Sequence, residues 1–157
     1  MKLEYVLKFR DQILFSVWHQ LMSVRLQVFY VAMVLLIILN TVKGKGIIVG
    51  VITFICVYLI FWILQQLLNI LLLISTKNRA LLTTHRIEVQ DDSFYEETKY
   101  NKSYNFWPGV VSVVSRPGVV AVYISAHGAH LIPNRAFNSS AHKAEFVDLI
   151  KQKIASA

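Results

Sequence analysis

His127 and His130, three residues apart in a β-rich stretch, are the strongest candidates for metal binding in this chain. Residues three positions apart in a strand point to opposite faces, so the two imidazole rings are expected to diverge, with no carboxylate bridging them. The single cysteine, Cys56, lies in the most apolar stretch, where a thiol packs as a small hydrophobe. The sequence therefore predicts no metal site.

Four carboxylates lie close enough together in the sequence to suggest acid–base chemistry or cation binding: Asp91, Asp92, Glu96 and Glu97. The two aspartates occupy a predicted turn, whereas the two glutamates alternate across a predicted strand. We therefore expect these four side chains to form a solvated surface.

A serine nucleophile is the other catalytic arrangement to consider, since Ser139 and Ser140 lie close to His142. Neither serine has the glycine-framed turn that exposes a nucleophile, and capping of a following helix explains them better. The six glycines form no phosphate-binding loop. The sequence predicts no catalytic residue and no cofactor, and we interpret the chain as a protein that is not an enzyme.

Aromatic and basic side chains alternate between residues 99 and 107. Single-stranded nucleic acid stacks on such patterns, but a β-sheet wall that faces a membrane needs the same pattern, and we expect no nucleic-acid partner. The candidate interaction surface consists of four residues from this stretch: Lys99, Lys102, Tyr104 and Trp107.

Charged residues are distributed unevenly along the chain that carries these side chains. Of its 157 residues, 55% are hydrophobic and 16% are charged, and the stretch 26–75 carries only two charges, Lys43 and Lys45. This distribution excludes a purely soluble protein, a disordered protein and an all-membrane transporter. The net charge of +7 favours anionic membrane lipids as partners.

Two helices, predicted at about 26–42 and 46–74, are apolar and about long enough to cross a bilayer. The connection Lys43-Gly44-Lys45-Gly46 breaks the helix, so 26–75 is predicted to be a transmembrane hairpin. Lysine and arginine are more numerous outside this loop than within it, which predicts that both termini are cytoplasmic. Six residues are expected to anchor the chain at the membrane interface: Trp18, Arg25, Lys43, Lys45, Lys77 and Arg79.

Gln65, Gln66 and Asn69 interrupt the second apolar helix. Three interpretations stay open: hydrogen bonds to another helix, an ion or substrate path, and a helix end beyond the hydrocarbon. In the first, the partners are Asn40 or Thr41 of a neighbouring molecule, which would give a homo-oligomer through the transmembrane helices.

Residues 1–25 predict a strand at 3–9, from strict apolar alternation, and an amphipathic helix at 11–25. In 76–157 the apolar period becomes two, and six strands are predicted near 85–90, 93–99, 102–106, 110–115, 118–125 and 128–132. Pro117-Gly118 predicts the clearest hairpin, Pro133 ends the last strand, and a helix follows Ser139 or Ser140.

This order of elements predicts a membrane α+β fold, in which a pleckstrin-homology-like antiparallel β-barrel with a C-terminal helix follows the hairpin. The domains are 1–25, 26–75 and 76–157. Because six strands would leave an unpaired edge, we expect 3–9 to pair with a strand from 84–132 and complete the barrel.

Four stretches together resemble the YcxB-like proteins: Trp107 after a polar strand, LIPNRAF at 131–137, Asn138-Ser139-Ser140 before a helix, and LEYVLKF at the start. The resemblance implies a small bacterial inner-membrane protein with a cytoplasmic, pleckstrin-homology-like domain, and it brings no catalytic residues. Pro108 departs from the family, in which a polar residue follows the tryptophan.

The sequence therefore suggests a membrane-anchored, non-enzymatic module that presents this domain to an unknown protein partner or to lipid. The alternative is a regulatory or toxin-neutralising membrane subunit that acts through its transmembrane helices.

Overall fold

The structure is a computed structural model that describes residues 1–75, 81–126 and 128–157. The described chain divides into two compact units. The first, which we call the sheet unit, comprises Met1–Phe15 and Ser75–Ala157, and the second, the helical unit, comprises Ser16–Ile74.

Seven strands and four helices are present in the described residues. The strands are β1 (Lys2–Val6), β2 (Thr84–Val89), β3 (Ser93–Thr98), β4 (Lys102–Phe106), β5 (Ser112–Arg116), β6 (Val119–Tyr123) and β7 (Ala129–Pro133). The helices are α1 (Phe9–Met22), α2 (Val24–Thr41), α3 (Ile47–Ile74) and α4 (Ser140–Ala155), with 3-10 turns at Trp107–Gly109 and Asn134–Ala136.

The first sheet is antiparallel, with the strand order β1-β2-β3-β4. The N-terminal strand pairs with β2, from Lys2 opposite Glu88 to Val6 opposite Thr84. The predicted pairing of 3–9 with the sheet is therefore confirmed, although the strand ends at Val6. It ends there because the Asp11 carboxylate accepts a hydrogen bond of 2.8 Å from the Lys8 backbone N–H, which starts α1.

The second sheet has the order β5-β6-β7, and its central strand β6 is almost entirely buried. The predicted hairpin at Pro117-Gly118 joins β5 to β6, and Gly118 has the positive φ of +83° that the turn requires. Helix α4 starts where Ser139 Oγ accepts a hydrogen bond of 3.0 Å from the His142 backbone N–H, as the sequence predicted.

Side chains from both sheets and from α4 form one hydrophobic core. The six strands predicted within 76–157 are all present near their predicted positions. Within the described residues, however, the two sheets do not close into a barrel. The sequence thus predicted the strands and the final helix, whereas the closed barrel is not confirmed.

In the helical unit, α2 and α3 lie close to the predicted 26–42 and 46–74. Gly44 and Gly46 in the connection both have a φ of +78°, which ends one helix before the next begins. By length and composition α3 alone could cross a membrane, whereas α1 and α2, bent by 67°, meet the same criterion only together. Among the described residues, the transmembrane hairpin is therefore supported for its second helix only.

Candidate functional site

Three titratable side chains on three strands meet inside the sheet unit: His85 on β2, Glu96 on β3 and His130 on β7. We call this group the His–Glu–His cluster. Glu96 Oε1 lies 2.9 Å from Nδ1 of His85, and Oε2 lies 2.7 Å from Nδ1 of His130. The Glu96 side chain is only 12% exposed because it shares a strand face with the fully buried Phe94.

The groups around the two rings define the hydrogen bonds that each ring nitrogen can form. Nε2 of His85 lies 3.2 Å from the carbonyl oxygen of Leu81, so both nitrogens of this ring face acceptors. A carbonyl and a carboxylate accept only, so a hydrogen bond to either group needs an N–H of the His85 ring as its donor. Nε2 of His130 lies 3.2 Å from the Asn105 amide, which can turn to offer either its N–H or its oxygen.

Burial raises the pKa of Glu96, but the hydrogen bonds from His130 and His85 lower it more strongly, to about 2. The carboxylate is therefore ionised at neutral pH. The cluster is a buried hydrogen-bonded bridge that connects β2 and β3 of one sheet with β7 of the other.

Tyr5 on β1 covers one side of this cluster. Its ring stacks on the His85 ring, with the centroids 5.5 Å apart and the planes 2° from parallel. Burial, together with the negative charge of Glu96, raises the pKa of Tyr5 well above 10.0, so the phenol stays neutral. Its hydroxyl is buried and has no hydrogen-bond partner among the described residues. The arrangement contains no activated nucleophile, and its chemistry is that of a buried polar bridge between the sheets.

The structure corrects one prediction about these residues. Glu96 does not belong to a solvated surface, because its strand face is the inner one. Glu96 also contacts His130, but His127 lies outside the described residues, so the absence of a carboxylate that bridges His127 and His130 stays a prediction. No group of three ligands suited to a metal ion occurs in the part of the chain that the structure describes.

The other three carboxylates lie at the surface, as the sequence predicted. Asp91 pairs with Lys153 at 2.9 Å, Glu97 pairs with Lys102 at 2.9 Å, and Asp92 is exposed.

A second feature lies on the outer face and tip of the β3–β4 hairpin. We call it the β4 edge surface, and its members are Lys99, Tyr100, Lys102, Tyr104 and Phe106. Three of them are large aromatic residues with relative exposures of 58%, 58% and 59%. The Tyr104 ring packs on Tyr95 of β3 at a centroid distance of 4.8 Å. Three of the four residues predicted as an interaction surface, Lys99, Lys102 and Tyr104, therefore lie together.

Trp107, the fourth predicted residue, does not reach this surface. It is 3% exposed, and its indole N–H donates a hydrogen bond of 3.2 Å to the Gln90 carbonyl oxygen. The 3-10 turn that contains Pro108 interrupts the strand alternation and directs the ring into the core. Its assignment to an exposed surface is therefore corrected to a structural role.

Arg135 was not among the predicted site residues, although it lies within the LIPNRAF stretch. Its guanidinium group donates hydrogen bonds of 2.7 Å to Asp11 Oδ1 and 2.7 Å to the Val6 carbonyl oxygen. Burial raises the pKa of Asp11, but the hydrogen bonds from Arg135 and the Lys8 backbone outweigh it and hold the pKa below its usual range. This arginine fixes the corner between β1 and α1.

The polar side chains of α3 bond within the helical unit. Asn69 donates a hydrogen bond of 2.7 Å to Ser16 Oγ, and Gln65 donates one of 3.3 Å to Asn69. Gln66 donates to Oε1 of Gln20, which in turn donates one of 2.7 Å to the Tyr30 hydroxyl. The bonds of Asn69, Gln66 and Gln20 join different helices, as the sequence suggested, but they form within one molecule, whereas the Gln65 bond stays within α3.

The predicted membrane anchors occupy different positions. Trp18 is half-buried on α1, Arg25 lies in the first turn of α2, and Lys43 and Lys45 are exposed in the loop before α3. Lys77 and Arg79 lie outside the described residues.

Comparisons with protein families, with curated proteins and with solved structures found no match to this chain.

Proposed function

We propose that this chain is a membrane-anchored, non-enzymatic binding module. In this proposal the sheet unit is of the pleckstrin-homology-like type expected for YcxB-like proteins, and it binds a protein or lipid ligand. The observation that carries the proposal is the β4 edge surface, where three large aromatic side chains are more than half exposed. These three rings lie outside the hydrophobic core of the sheet unit, and aromatic residues exposed together are typical of a binding surface.

The position of the titratable groups supports a binding role rather than catalysis. Glu96 and its two histidines lie on the inner face of the sheet, whereas Lys102, Tyr104 and Phe106 lie on the outer face. The groups best suited to acid–base chemistry are therefore separated from the exposed surface by the sheet itself.

The strand pairing supports a membrane anchor that crosses the bilayer twice. β1 precedes the helical unit and pairs with β2, which follows it, so both strands lie on the same side of any bilayer. If α3 crosses, some part of the chain between Val6 and Ile47 must cross as well. Since lysine and arginine are more numerous outside the loop before α3 than within it, we propose that this side is the cytoplasm, and that the membrane is the inner membrane expected for YcxB-like proteins.

A photo-crosslinking residue, p-benzoylphenylalanine, at Tyr104 tests this function in living cells. The same residue at Glu145, an exposed position on α4, is the matched control. We expect a protein or lipid adduct from position 104 and none from position 145. Absence of an adduct at 104, or equal adducts from both positions, contradicts the proposal.

A further inference from the structure

The hydrogen bonds at the two ends of the β3–β4 hairpin determine which backbone groups of β4 are free. Thr98 N–H bonds to the Asn101 carbonyl at 2.8 Å, and Trp107 N–H bonds to the Asp92 carbonyl at 3.2 Å. Because antiparallel bonding alternates along a strand, Ser103 and Asn105 bond to β3 between these two points. Lys102, Tyr104 and Phe106 therefore direct their N–H groups away from the sheet.

These outward groups form a free edge in the described structure. β4 is the last strand of its sheet, and neither backbone group of Lys102 or Tyr104 has a partner among the described residues. The side chains of the same residues lie on the exposed outer face. Backbone donors, backbone acceptors and aromatic rings are thus presented together on one strand.

The usual protection of an edge strand is weak at β4. Such edges are protected by proline, bulges or charged side chains, but β4 is KSYNF, without proline. Its one charge, Lys102, is already paired with Glu97 at 2.9 Å. At the opposite edge of the sheet, β1 carries Lys2 and Glu4, and its Val6 carbonyl accepts a hydrogen bond from Arg135.

The charge at the hairpin tip indicates the chemistry of the ligand. The Lys99 ammonium lies 5.7 Å from the centre of the Tyr100 ring, and no carboxylate pairs with it in the described part of the chain. The tip is therefore positive, while Phe106 at the other end of the strand is apolar. An acidic side chain complements the first end, and an apolar side chain complements the second.

We propose that the free edge of β4 binds an extended segment of a partner protein, which adds to the sheet as a further strand. The segment carries an acidic residue beside Lys99 and apolar residues beside Tyr104 and Phe106. This inference rests on the proposed binding function and specifies its ligand as protein. Lipid hydrocarbon would leave the outward N–H and C=O groups unsatisfied, whereas a strand pairs with them.

Proline substitution on β4 tests whether the outward backbone N–H groups contribute to binding. At an outward-facing position, proline removes the N–H without removing a hydrogen bond to β3. The probe is p-benzoylphenylalanine at Phe106, in the full chain in living cells. Tyr104→Pro is compared with Tyr104→Thr, which lacks the ring but keeps the N–H. Lys102→Pro and Lys102→Thr repeat the comparison, so the conclusion does not depend on one position. Urea midpoints of the purified variants establish that the sheet unit is folded.

If a strand is added, each proline variant reduces a protein adduct about tenfold more than the threonine variant at the same position, which removes only the contribution of the side chain. Strand addition is overturned if the amount of adduct falls equally with Tyr104→Thr and Tyr104→Pro and persists with Lys102→Pro. The proposed binding function stays intact in that case. An adduct between two copies of this chain, or a lipid adduct, overturns the proposed partner. Absence of any adduct contradicts both proposals.

Discussion

Arg135 and Asp11 lie 124 residues apart in the sequence, yet the guanidinium group of one donates hydrogen bonds through both of its terminal nitrogens to the carboxylate of the other. The Asp11 side chain is 10% exposed and that of Arg135 is 42% exposed. The carboxylate also accepts a hydrogen bond of 2.8 Å from the Lys8 backbone N–H, so Asp11 both starts α1 and binds the arginine of the 3-10 turn after β7.

Arg135→Ala should destabilise the sheet unit by about 2 to 3 kcal/mol, because it leaves a buried carboxylate without its main partner. The measurement is a urea titration in detergent, followed by the fluorescence of Trp107 in a protein with Trp18→Phe and Trp62→Phe. Lys151→Ala, which removes an exposed pair with Asp148, is the control and should change stability by less than about 1 kcal/mol. Equal effects of the two substitutions would show that the Asp11 contact adds no stability.

The Asp11 contact also predicts a dependence on pH. The folded-state pKa lies below the ordinary value of 3.8, so the carboxylate contributes stability above that value and loses it as the pH falls. The difference in unfolding free energy between the native protein and Arg135→Ala should therefore shrink below about pH 4. A difference that stays constant from pH 7 to pH 3 would contradict this assignment.

Glu96→Gln should remove a larger acid-sensitive contribution to the free energy of unfolding. A pKa lowered from 4.5 to about 2 corresponds to about 3 kcal/mol, present above pH 4.5 and lost as the pH falls toward 2. The native protein should lose stability over that interval, while Glu96→Gln should be less stable at pH 7 and flatter with pH. Glu145→Gln, at an exposed position on α4, is the control and should have a profile like that of the native protein. Parallel profiles for Glu96→Gln and the native protein would show that the buried carboxylate is not ionised.

Gly118→Ala should destabilise the β5–β6 hairpin. The residue has a φ of +83°, and an added Cβ would lie 2.6 Å from Leu14 Cδ2. We expect a loss of about 1 to 2 kcal/mol by thermal unfolding, partly restored by Leu14→Ala if the contact contributes. Gly109→Ala, with no positive φ and open space around the position, should be nearly neutral. An unchanged melting temperature for Gly118→Ala would contradict the turn geometry.

Membrane topology is tested by cysteine labelling in a Cys56→Ala protein. Cysteine introduced at Gly44 should react with an impermeant thiol reagent in intact cells, whereas cysteine at Ser156 should react only after the cells are opened. This result follows from the excess of lysine and arginine outside the connecting loop. The reverse pattern of labelling would place both termini outside the cytoplasm.

Much of the sheet unit was predictable because its strands follow a simple alternation. The pairing of β1 followed from the need to cover an open edge, and Ser139 was a recognisable helix cap. The His–Glu–His cluster was not predicted, since its three members lie on strands whose contact depends on how the two sheets pack. One local signal was available, because Glu96 lies two residues after Phe94 and so shares its inward face.

Trp107 shows a different limit of sequence reasoning. Strand alternation predicts which face of the sheet a side chain occupies, but only for residues that belong to the strand. Here the strand ends at Phe106, and the turn at Pro108 changes the direction of the next side chain. The four residues predicted as one surface therefore separate into three exposed side chains and one core residue.

The pairing of β1 with β2 also has a consequence during synthesis on the ribosome. β1 is made first, but its partner emerges only after α3 has been translated. At typical translation rates this interval is on the order of ten seconds, during which the first strand of the domain has no native neighbour. During this interval Lys2 and Glu4 keep one face of β1 charged, which disfavours pairing with other nascent chains. Completion of the sheet therefore waits for the translation of the helices that interrupt it.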